Sequence, residues 1–345
     1  MTIVVPSQAW VQRPDLAISR WTRPALIGSR ILPTYPCSKK SDVIVYMPVR
    51  DNSLTAQTGR TMGDSFDITN IDNVRIALDL TAAEIASTQT KDISDIADQG
   101  DLERNLWQMS MNSKAVVAYA LENATAVALL DGKAEVASAT EKAFIKNVRE
   151  KRQAIASQLG DGKIIVAMSA AVYNTIIAMT EIQAQLGKGV SLPVTQDTTV
   201  ANLQRIQLAA IFGVDEVLIG QNRAWYADNI TTKDAVVVAM VAEPNQDPTF
   251  MPQLGRTPVF TQYLAEPTPT DPNAGMMDYD NALLIPGQAA KVYATPFSCA
   301  QIVIPQNNAV GVVTQTFAKP VLFTENTDLF EVVALPPEVM PSAST

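Results

Sequence analysis

Histidine is absent from this chain of 345 residues, and cysteine occurs only twice, at Cys37 and Cys299. The lack of histidine rules out the catalytic triads and the metal sites that need imidazole. Two cysteines so far apart in the chain form neither a disulfide framework nor a site with four thiolate ligands. Without a histidine partner, neither thiol is expected to act as a nucleophile. We therefore predict a protein that is not an enzyme and that uses no cofactor.

Glycine is also scarce, with 15 residues, and glycine-rich phosphate-binding motifs are missing. Lys133, Lys163 and Lys188 each follow a glycine, but none has the second glycine five positions before it that a P-loop needs. Two acidic groups carry oxygen ligands for a hard cation, but neither has the pattern of an EF-hand. We interpret them as turn and helix-cap residues: Asp92, Asp95, Asp98 and Asp101, and Asp278, Asp280 and Asn281.

Long apolar runs are missing as well. The longest, Ala235–Ala242, is far shorter than the roughly 18–20 residues of a membrane span. Residues 1–10 lack the basic start of a secretory signal. We therefore expect no contact with a membrane, synthesis in the cytoplasm, and reduced thiols.

Charge is distributed unevenly in this acidic chain, whose net charge is −9. Residues 1–60 hold eight basic and three acidic residues, a balance of +5, so the rest carries −14. A basic arm on an acidic body suits contact with nucleic acid or with the acidic surface of a neighbouring subunit. A solvated surface is the alternative.

Proline is almost missing from the middle of the chain. Only Pro193 lies between Val49 and Glu243, whereas six of the 21 prolines precede that region and fourteen follow it. Because proline interrupts helices and central strands, the long regular elements are expected in the middle. The chain is thus predicted to be mixed α+β.

Hydrophobic periodicity predicts a helix from Asp101 to Leu130, capped by Asp101 and stopped by Asp131-Gly132. Its inward stripe is predicted to be Leu102, Leu106, Met109, Ser113, Val117, Ala120, Ala124 and Val127. Further helices are predicted over Thr140–Leu159, from the cap Ser169 to about Met179, and from the cap Thr199 to Gly213, with Leu203, Ile206 and Ala210 inward. Predicted strands are Lys163–Met168, Val214–Ile219, Ala235–Ala242, Pro258–Leu264, Ala289–Ala294, Gln301–Ile304 and Val310–Phe317.

The N-terminal region is predicted to be an extended arm over Met1–Ser41, with a short helical turn near Pro14–Ser19. A strand at Val43–Val49, a polar loop tip at Asp51–Asp64 and a β-rich stretch at Phe66–Leu80 follow. Two strands alone are not stable in water, so this excursion needs a partner surface.

Three stretches carry a resemblance to a known family. They are Ile31-Leu-Pro-Thr-Tyr-Pro-Cys37 with Ser38–Asp42 and the Val43–Val49 strand, then Leu208–Gly220, and then Ala235–Glu243 followed by Pro248-Thr-Phe250 and Gly255. Together with the order of the elements, they resemble the major capsid proteins of tailed bacteriophages, which have the Hong Kong 97-type fold.

The resemblance implies an α+β capsid fold with an N-terminal arm at residues 1–41 and an extended β loop at 42–80. It implies a peripheral domain at 81–160 and 306–335 with a spine helix at about 101–130, an axial domain at 161–305, and a C-terminal tail at 336–345. Candidate contacts with DNA phosphates inside the shell, or with other subunits, are Arg13, Arg20, Arg23, Arg30, Lys39 and Lys40. Candidate contacts of the extended loop with other subunits are Arg50, Asp51, Arg60 and Asp64.

The implied protein assembles with itself into hexamers and pentamers of an icosahedral shell around double-stranded DNA. A separate scaffolding protein, a portal and a decoration protein are the other implied partners, since the sequence starts at Met1 without a fused scaffold. The implied location is the virion, after assembly in the cytoplasm of a host bacterium. Some relatives link subunits through a lysine of the extended loop, but no lysine lies between Ser41 and Thr90. The alternatives are an encapsulin-type compartment shell and a soluble α/β enzyme that depends on carboxylates.

Overall fold

The computed structural model describes residues 10–19, 26–49, 73–158, 162–186, 200–242, 246–265, 282–283 and 292–339. Helices and strands both occur throughout these residues, as a mixed α+β class requires. The α-helices are α1 (Pro14–Ile18), α2 (Gly28–Ile31), α3 (Gln99–Leu130), α4 (Glu141–Ala156), α5 (Ala170–Ala178), α6 (Thr180–Leu186), α7 (Val200–Phe212) and α8 (Asn222–Trp225).

Most of the strands lie near the two ends of the chain, where the prolines are concentrated. They are β1 (Trp10–Gln12), β2 (Thr34–Cys37), β3 (Ser41–Tyr46), β4 (Val74–Asp79), β5 (Glu84–Asp92), β6 (Lys163–Ser169), β7 (Glu216–Gly220), β8 (Ala235–Val241), β9 (Gly255–Phe260), β10 (Gln262–Ala265), β11 (Ala282–Leu283), β12 (Val292–Thr295), β13 (Ser298–Ile304), β14 (Ala309–Phe317), β15 (Val321–Leu322) and β16 (Phe330–Ala334).

The largest core surrounds a four-stranded sheet in the order β16-β8-β6-β7. β8 is apolar at every position and almost wholly buried, as is typical of a central strand with both faces covered. β6 and β7 run parallel, and α5, α6 and α7 connect them. The predicted crossover unit is therefore confirmed.

A second core lies between α3 and an antiparallel sheet in the order β1-β13-β14-β5. Leu102 and Leu106 of α3 pack there with Val310 and Val312 of β14. The closeness of the strands requires glycine at Gly311, because a side chain there would lie 2.3 Å from the carbonyl oxygen of Gln89. This sheet thus supports one half of the long helix.

The third core lies under the hairpin formed by β3 and β4. A three-stranded sheet in the order β15-β9-β2 contributes to it, with β2 parallel to β9. The hairpin therefore has the partner surface that its sequence requires. A further small sheet has the order β10-β12-β11.

Helix α3 has 32 residues, about 48 Å at 1.5 Å per residue. Its predicted end at Leu130 is confirmed, but the predicted start at Asp101 is wrong by two residues. Asp98 is the cap, because its Oδ1 accepts a hydrogen bond from the backbone N–H of Asp101 at 2.8 Å. Asp101 lies inside the first turn and accepts from Ala97 N.

The predicted inward stripe of α3 is confirmed as far as Val117 and wrong beyond it. Ala120 is exposed, and Ala124 and Val127 are only half-buried. The second half of the helix instead packs against the first core, with Ala126, Leu129 and Leu130. The buried face therefore changes where the helix passes from one core to the other, and the new buried residues are Glu122, Thr125, Ala126, Leu129 and Leu130.

The inward face predicted for α7 is also wrong. Ile206 is 48% exposed and Ala210 is exposed, whereas Leu208 and Phe212 are fully buried. Apolar residues occur on more than one face of this helix, so periodicity alone does not identify the buried one. The edge-on packing of Phe212 against Phe144 of α4, at 6.0 Å between ring centres, determines the orientation. Gly213 ends the helix at φ +73°, as predicted.

Most other predicted elements are found with small shifts of their ends, but the predicted strand Pro258–Leu264 is wrong, because the chain there forms two strands, β9 and β10, in different sheets. The turn near Pro14 is α1, and Ser169 caps α5 as predicted. Thr140, where the second helix was predicted to begin, is the N-cap of α4. Parts of several predictions lie outside the described residues, among them Thr199, Leu159, the loop tip Asp51–Asp64 and the first half of Phe66–Leu80.

The described sheets do not follow the predicted domain bounds at several strands, among them β15, which belongs to the range 306–335 and pairs with β9 of the range 161–305. β16, from the range 306–335, pairs with β8 in the sheet of the range 161–305. β13, from that second range, pairs with β14 beside α3. The chain thus crosses between the two cores near its C-terminal end, and the domain bounds stay a prediction.

Candidate assembly surfaces

The hairpin of β3 and β4 is fixed to the rest of the subunit through aromatic packing. Tyr46 stacks on Phe323 with ring centres 4.1 Å apart, and both side chains are fully buried. At the other end of β3, the ammonium group of Lys40 lies 3.3 Å from the ring centre of Phe317 and 5.6 Å from that of Phe260. Lys40 is therefore part of the hairpin base.

Asn326 holds the chain where it leaves the hairpin after β3. Its Oδ1 accepts a hydrogen bond from Val49 N at 2.7 Å. Its Nδ2 donates to the carbonyl oxygens of Met47 at 3.0 Å and Gln253 at 2.7 Å. Because the side chain is fully buried, these bonds fix the path of residues 47–49 against the turn before β9.

Two apolar side chains near this exit lie open to solvent. Val43 on the outer face of β3 is 47% exposed. Phe250 is 75% exposed on a turn in which Asp247 accepts hydrogen bonds from the N–H and hydroxyl of Thr249. The same turn accepts a hydrogen bond from Met47 N at the carbonyl of Pro248, at 2.8 Å. Phe250 is therefore a large apolar side chain that an ordered turn holds open to solvent.

Glu122 joins three segments of the chain inside the subunit. Its carboxylate accepts hydrogen bonds from Ile27 N at 2.9 Å, from Gly28 N at 2.8 Å and from the indole N–H of Trp225 at 2.7 Å. A side chain at position 28 would lie 2.6 Å from the same carboxylate, so it would displace the carboxylate from these partners. Periodicity does not reveal this junction, because a glutamate in a helical pattern is normally assigned to solvent. Gly28 and Trp225 are too distant from Glu122 in sequence to signal it.

Arg13 is bound within its own subunit. Its guanidinium forms ion pairs with Asp15 and Glu103, each at 2.7 Å, and donates to Gln301 at 2.9 Å. Burial would lower the pKa of Arg13, but the hydrogen bonds with Asp15 and Glu103 outweigh burial and raise the pKa further above its usual value. This cation connects α1, α3 and β13.

The other predicted basic contacts are not gathered into one patch. Arg30 is half-exposed and pairs with Glu216 of β7 at 2.6 Å. Lys39 is exposed, and Lys40 belongs to the hairpin base. The remaining predicted site residues lie outside the described residues: Arg20, Arg23, Arg50, Asp51, Arg60 and Asp64. The roles predicted for all ten residues stay predictions.

Both cysteines are buried and free. Burial raises the pKa of Cys37 to about 11 and also raises the pKa of Cys299. Both groups are therefore neutral thiols near pH 7, and thiols in this form are poor nucleophiles.

The acidic run at the start of α3 acts in turns and caps. Asp92 accepts hydrogen bonds from the N–H and the hydroxyl of Ser94, and Asp98 caps the helix. Among the described residues, no three histidine, cysteine or acidic side chains form a group that would hold a metal ion. Asp278, Asp280 and Asn281 lie outside that part of the chain. No described helix combines the length and the apolar character needed to cross a membrane.

No protein-family model matches the chain, and no curated protein matches it in sequence. Among solved structures, the chain is similar to a phage-related protein of Bordetella bronchiseptica. The identity is 14%, the TM-score is 0.53, and the match covers 95% of this chain and 98% of that chain. The chain also matches the mature capsid of bacteriophage PhiM1 at 10% identity and a TM-score of 0.47, over 91% of this chain and 88% of that chain.

An encapsulin of Synechococcus elongatus matches at 10% identity and a TM-score of 0.44, over 88% of this chain and 85% of that chain. Because the last two TM-scores are below 0.5, the fold assignment depends on the Bordetella protein. That likeness spans nearly the whole of both chains and shows a shared fold. The predicted mixed α+β fold of the Hong Kong 97 type is confirmed, with the long helix α3 and with the strands β3 and β4 at the two described ends of the predicted β excursion.

Proposed function

We propose that this chain is the major capsid protein of a tailed bacteriophage. It assembles with itself into hexamers and pentamers of an icosahedral shell that encloses double-stranded DNA. The observation that carries the proposal is the fold shared over nearly its whole length with a phage-related protein. The exposed Val43 on the outer face of the hairpin and the ordered turn that displays Phe250 support a role in contacts between copies.

Within this proposal, the ranges predicted from the sequence become structural regions of a shell subunit. Residues 1–41 are an inner arm, 42–80 an extended loop over a neighbouring subunit, and 161–305 most of the axial domain. Residues 81–160 and 306–335 form the peripheral domain around α3, and 336–345 are a tail. The strand pairings support one adjustment, in which β16 joins the axial sheet and β13 the peripheral sheet.

The basic arm is proposed to meet packaged DNA through phosphate charge, without reading bases. Arg30 and Lys39 are the exposed described cations of this set, and Arg13 already has acidic partners. Arg20 and Arg23 complete the proposed contact. Arg50, Asp51, Arg60 and Asp64 are proposed contacts between the extended loop and a neighbouring subunit.

The proposed location is the virion, after assembly in the cytoplasm of the host bacterium. The proposed partners besides DNA are a separate scaffolding protein, a portal and a decoration protein. The proposal includes no enzymatic activity and no cofactor.

The test is to purify the protein and examine it by light scattering and negative-stain electron microscopy under assembly conditions. We expect closed particles, or hexamers and pentamers that become particles when a scaffold is supplied. A small discrete oligomer under every condition would contradict the proposal and favour the enzyme alternative. Nuclease treatment of particles isolated from infected cells separates the two shell functions, since DNA protected inside the particles supports a phage capsid and an enclosed enzyme supports an encapsulin.

A further inference from the structure

The N-terminal part of the described chain passes through all three cores in turn. We call residues 10–19 and 26–46 the strap. Leu16 of the strap is buried in the second core, Ile31 in the first and Tyr46 in the third. The strap is therefore part of the folded body and connects its three cores.

The contacts that hold the strap to the body join residues far apart in the chain. β1 pairs with β13, and β2 pairs with β9. Arg13 donates to Gln301, 288 positions away, and the hydroxyl of Thr257 donates to the carbonyl oxygen of Leu32 across 225 positions. Contacts of large sequence separation form late in folding, because the long loop between the two residues has to close first. We therefore expect the strap to reach its place after the contacts of shorter range have formed.

The surfaces that receive the strap have pairing partners of their own. β13 pairs with its neighbour β14, and β9 pairs with β15. Of the buried side chains of the first core, the strap supplies Ile27, Ile31 and Leu32, and the other members come from residues 126–335. The body can thus form its sheets first and accept the strap afterwards.

Two buried charges of α3 contact the backbone of the strap. The ammonium group of Lys114 donates to the carbonyl oxygen of Ser19 at 2.9 Å and to its hydroxyl at 3.2 Å. The carboxylate of Glu122 accepts from Ile27 N at 2.9 Å and from Gly28 N at 2.8 Å. Exchanging the two segments would set donors against the cation and acceptors against the anion, so the two charges define the register of the strap. While the strap is open, both charges are in contact with water, which avoids the cost of an unpaired buried charge.

The base of the hairpin belongs to the strap. Lys40, whose ammonium group lies 3.3 Å from the ring centre of Phe317, and Tyr46, which stacks on Phe323, are both strap residues. β3 itself is the last part of the strap and pairs with β4. An open strap therefore leaves the hairpin without its base and leaves Val43 of β3 without a fixed position.

We propose that the strap closes over α3 as the last step of folding, and that its closure makes the subunit competent to assemble. The second statement rests on the proposed function, since the hairpin is a proposed contact between copies. Lys114 and Glu122 ensure that the strap closes in one register. Subunits whose strap is open lack the hairpin base, so they do not join a growing shell.

Pulse-labelling hydrogen exchange during refolding of the full chain from urea tests the order of the steps. Mass spectrometry compares peptides of the strap, at residues 10–19 and 26–37, with peptides of β6 and β8. We expect the strap peptides to become protected at least about tenfold later than those of β6 and β8. Protection of the strap together with β8 would overturn the proposal.

The same refolding reaction, carried out under assembly conditions, tests the link between closure and assembly. Light scattering detects particles while hydrogen exchange reports on the strap. We expect particles to form only after the strap peptides are protected. Particles that form while the strap is still unprotected would overturn the role of closure in assembly.

The substitution Gly28→Ala should open the strap in the folded protein. The added methyl group would lie 2.6 Å from the carboxylate of Glu122 and would displace it from Ile27 N. We expect the amide of Ile27 to exchange at least about tenfold faster, the peptides of β8 to stay protected, and the yield of particles to fall at least about tenfold. The matched control is Gly100→Ala in the first turn of α3, where an added methyl group lies 3.4 Å from Asp98, an ordinary contact. This control should assemble normally.

Full assembly of Gly28→Ala with a rapidly exchanging strap would overturn the role of closure and leave the proposed function intact. A strap that stays protected in Gly28→Ala would overturn the role given to Glu122. If β8 also loses its protection in this variant, the order of refolding in the unmodified chain decides the proposal. Failure of the unmodified chain to form any particle contradicts the proposed function, whereas the order of refolding still tests the late closure of the strap.

Discussion

At Glu122, one buried carboxylate is the acceptor for two backbone N–H groups at the start of α2 and for the indole of α8. Glu122→Gln keeps the shape, but its NH₂ replaces the oxygen that accepts from Gly28 N at 2.8 Å, so Gly28 N keeps only the longer bond of 3.1 Å to Oε1. The buried NH₂ then faces an N–H donor and has no acceptor among these partners. We expect the free energy of unfolding to fall by about 2–4 kcal/mol, since each buried unsatisfied group costs about 1–3 kcal/mol. Urea unfolding of the unassembled protein measures this.

The control for Glu122 is Glu150→Gln, an exposed residue of α4 whose pair with Lys146 spans 3.6 Å. Such surface pairs contribute roughly 0–1 kcal/mol, so this variant should unfold almost like the unmodified protein. Equal stabilities of the two variants would show that the junction contributes nothing.

Cys37 makes the stability of the fold depend on pH in the alkaline range. Burial raises its pKa from the ordinary 9.0 to about 11, so the unfolded chain loses this proton before the folded chain does. The stability contributed by the neutral thiol is complete below pH 9 and is lost as the pH rises towards about 11. Urea midpoints measured from pH 8 to pH 11 should therefore fall less steeply in Cys37→Ala than in the unmodified protein, and parallel slopes would contradict this.

Among the elements, the exit of β3 depends on the amide of Asn326. Asn326→Asp retains an acceptor for Val49 N but loses both donations and places a carboxylate against two carbonyl oxygens. We expect a loss of about 2–4 kcal/mol in the free energy of unfolding. We also expect faster proteolysis of the bonds after Val49 in the native protein.

Asn229→Asp is the matched control for Asn326, because Asn229 is exposed and bonds only to Asn123 in the described part of the chain. It should leave both stability and proteolysis nearly unchanged. A cleavage rate in Asn326→Asp equal to that of the control would show that the exit of β3 is held by other contacts.

A substitution on the outer face of the hairpin tests assembly separately from folding. Val43 is 47% exposed, so Val43→Asp should change the stability of the unassembled subunit by no more than about 0.5 kcal/mol. If this face packs against a neighbour, a charge there should reduce the yield of particles at least tenfold. Val43→Thr should assemble normally, and normal assembly of Val43→Asp would remove this face from the interface.

Helix α3 shows which structural features can be predicted from sequence periodicity. Its existence, its end and its first half followed from periodicity and from the lack of proline, because those signals are local. Its second half did not, since Glu122 is buried by donors that lie about a hundred residues away in the chain. Lys114 is a second such case, fully buried with its ammonium donating to the carbonyl of Ser19.

At the scale of the whole molecule, a shell of this chain should lack covalent links of the kind that use a lysine of the extended loop. No lysine lies between Ser41 and Thr90, so the loop offers no amine for an isopeptide bond. Boiled and reduced particles should run as a single band of about 37 kDa on denaturing gels. Ladders of multimers would contradict this prediction.

The architecture could be predicted from the order of the elements, whereas the surfaces could not. The distribution of the prolines and the positive balance of residues 1–60 predicted an N-terminal arm, a β excursion and a middle region of regular helices and strands. These predictions were possible because composition reflects local conformation. Periodicity placed Ile206 inward although it is 48% exposed, and it gave no sign of Phe250 on its ordered turn. Exposure depends on how distant segments meet, and a single sequence carries little of that information.

The change of buried face along α3 makes one helix a shared wall of two cores. Neither core can melt while the other stays intact unless the helix breaks near its middle, where Val117 and Glu122 are both buried. The two lobes should therefore lose their structure together, as one cooperative unit. In a shell, a load applied to one lobe would pass along the same rod to the other, so the subunit would respond to pressure as a stiff beam and not as two hinged halves.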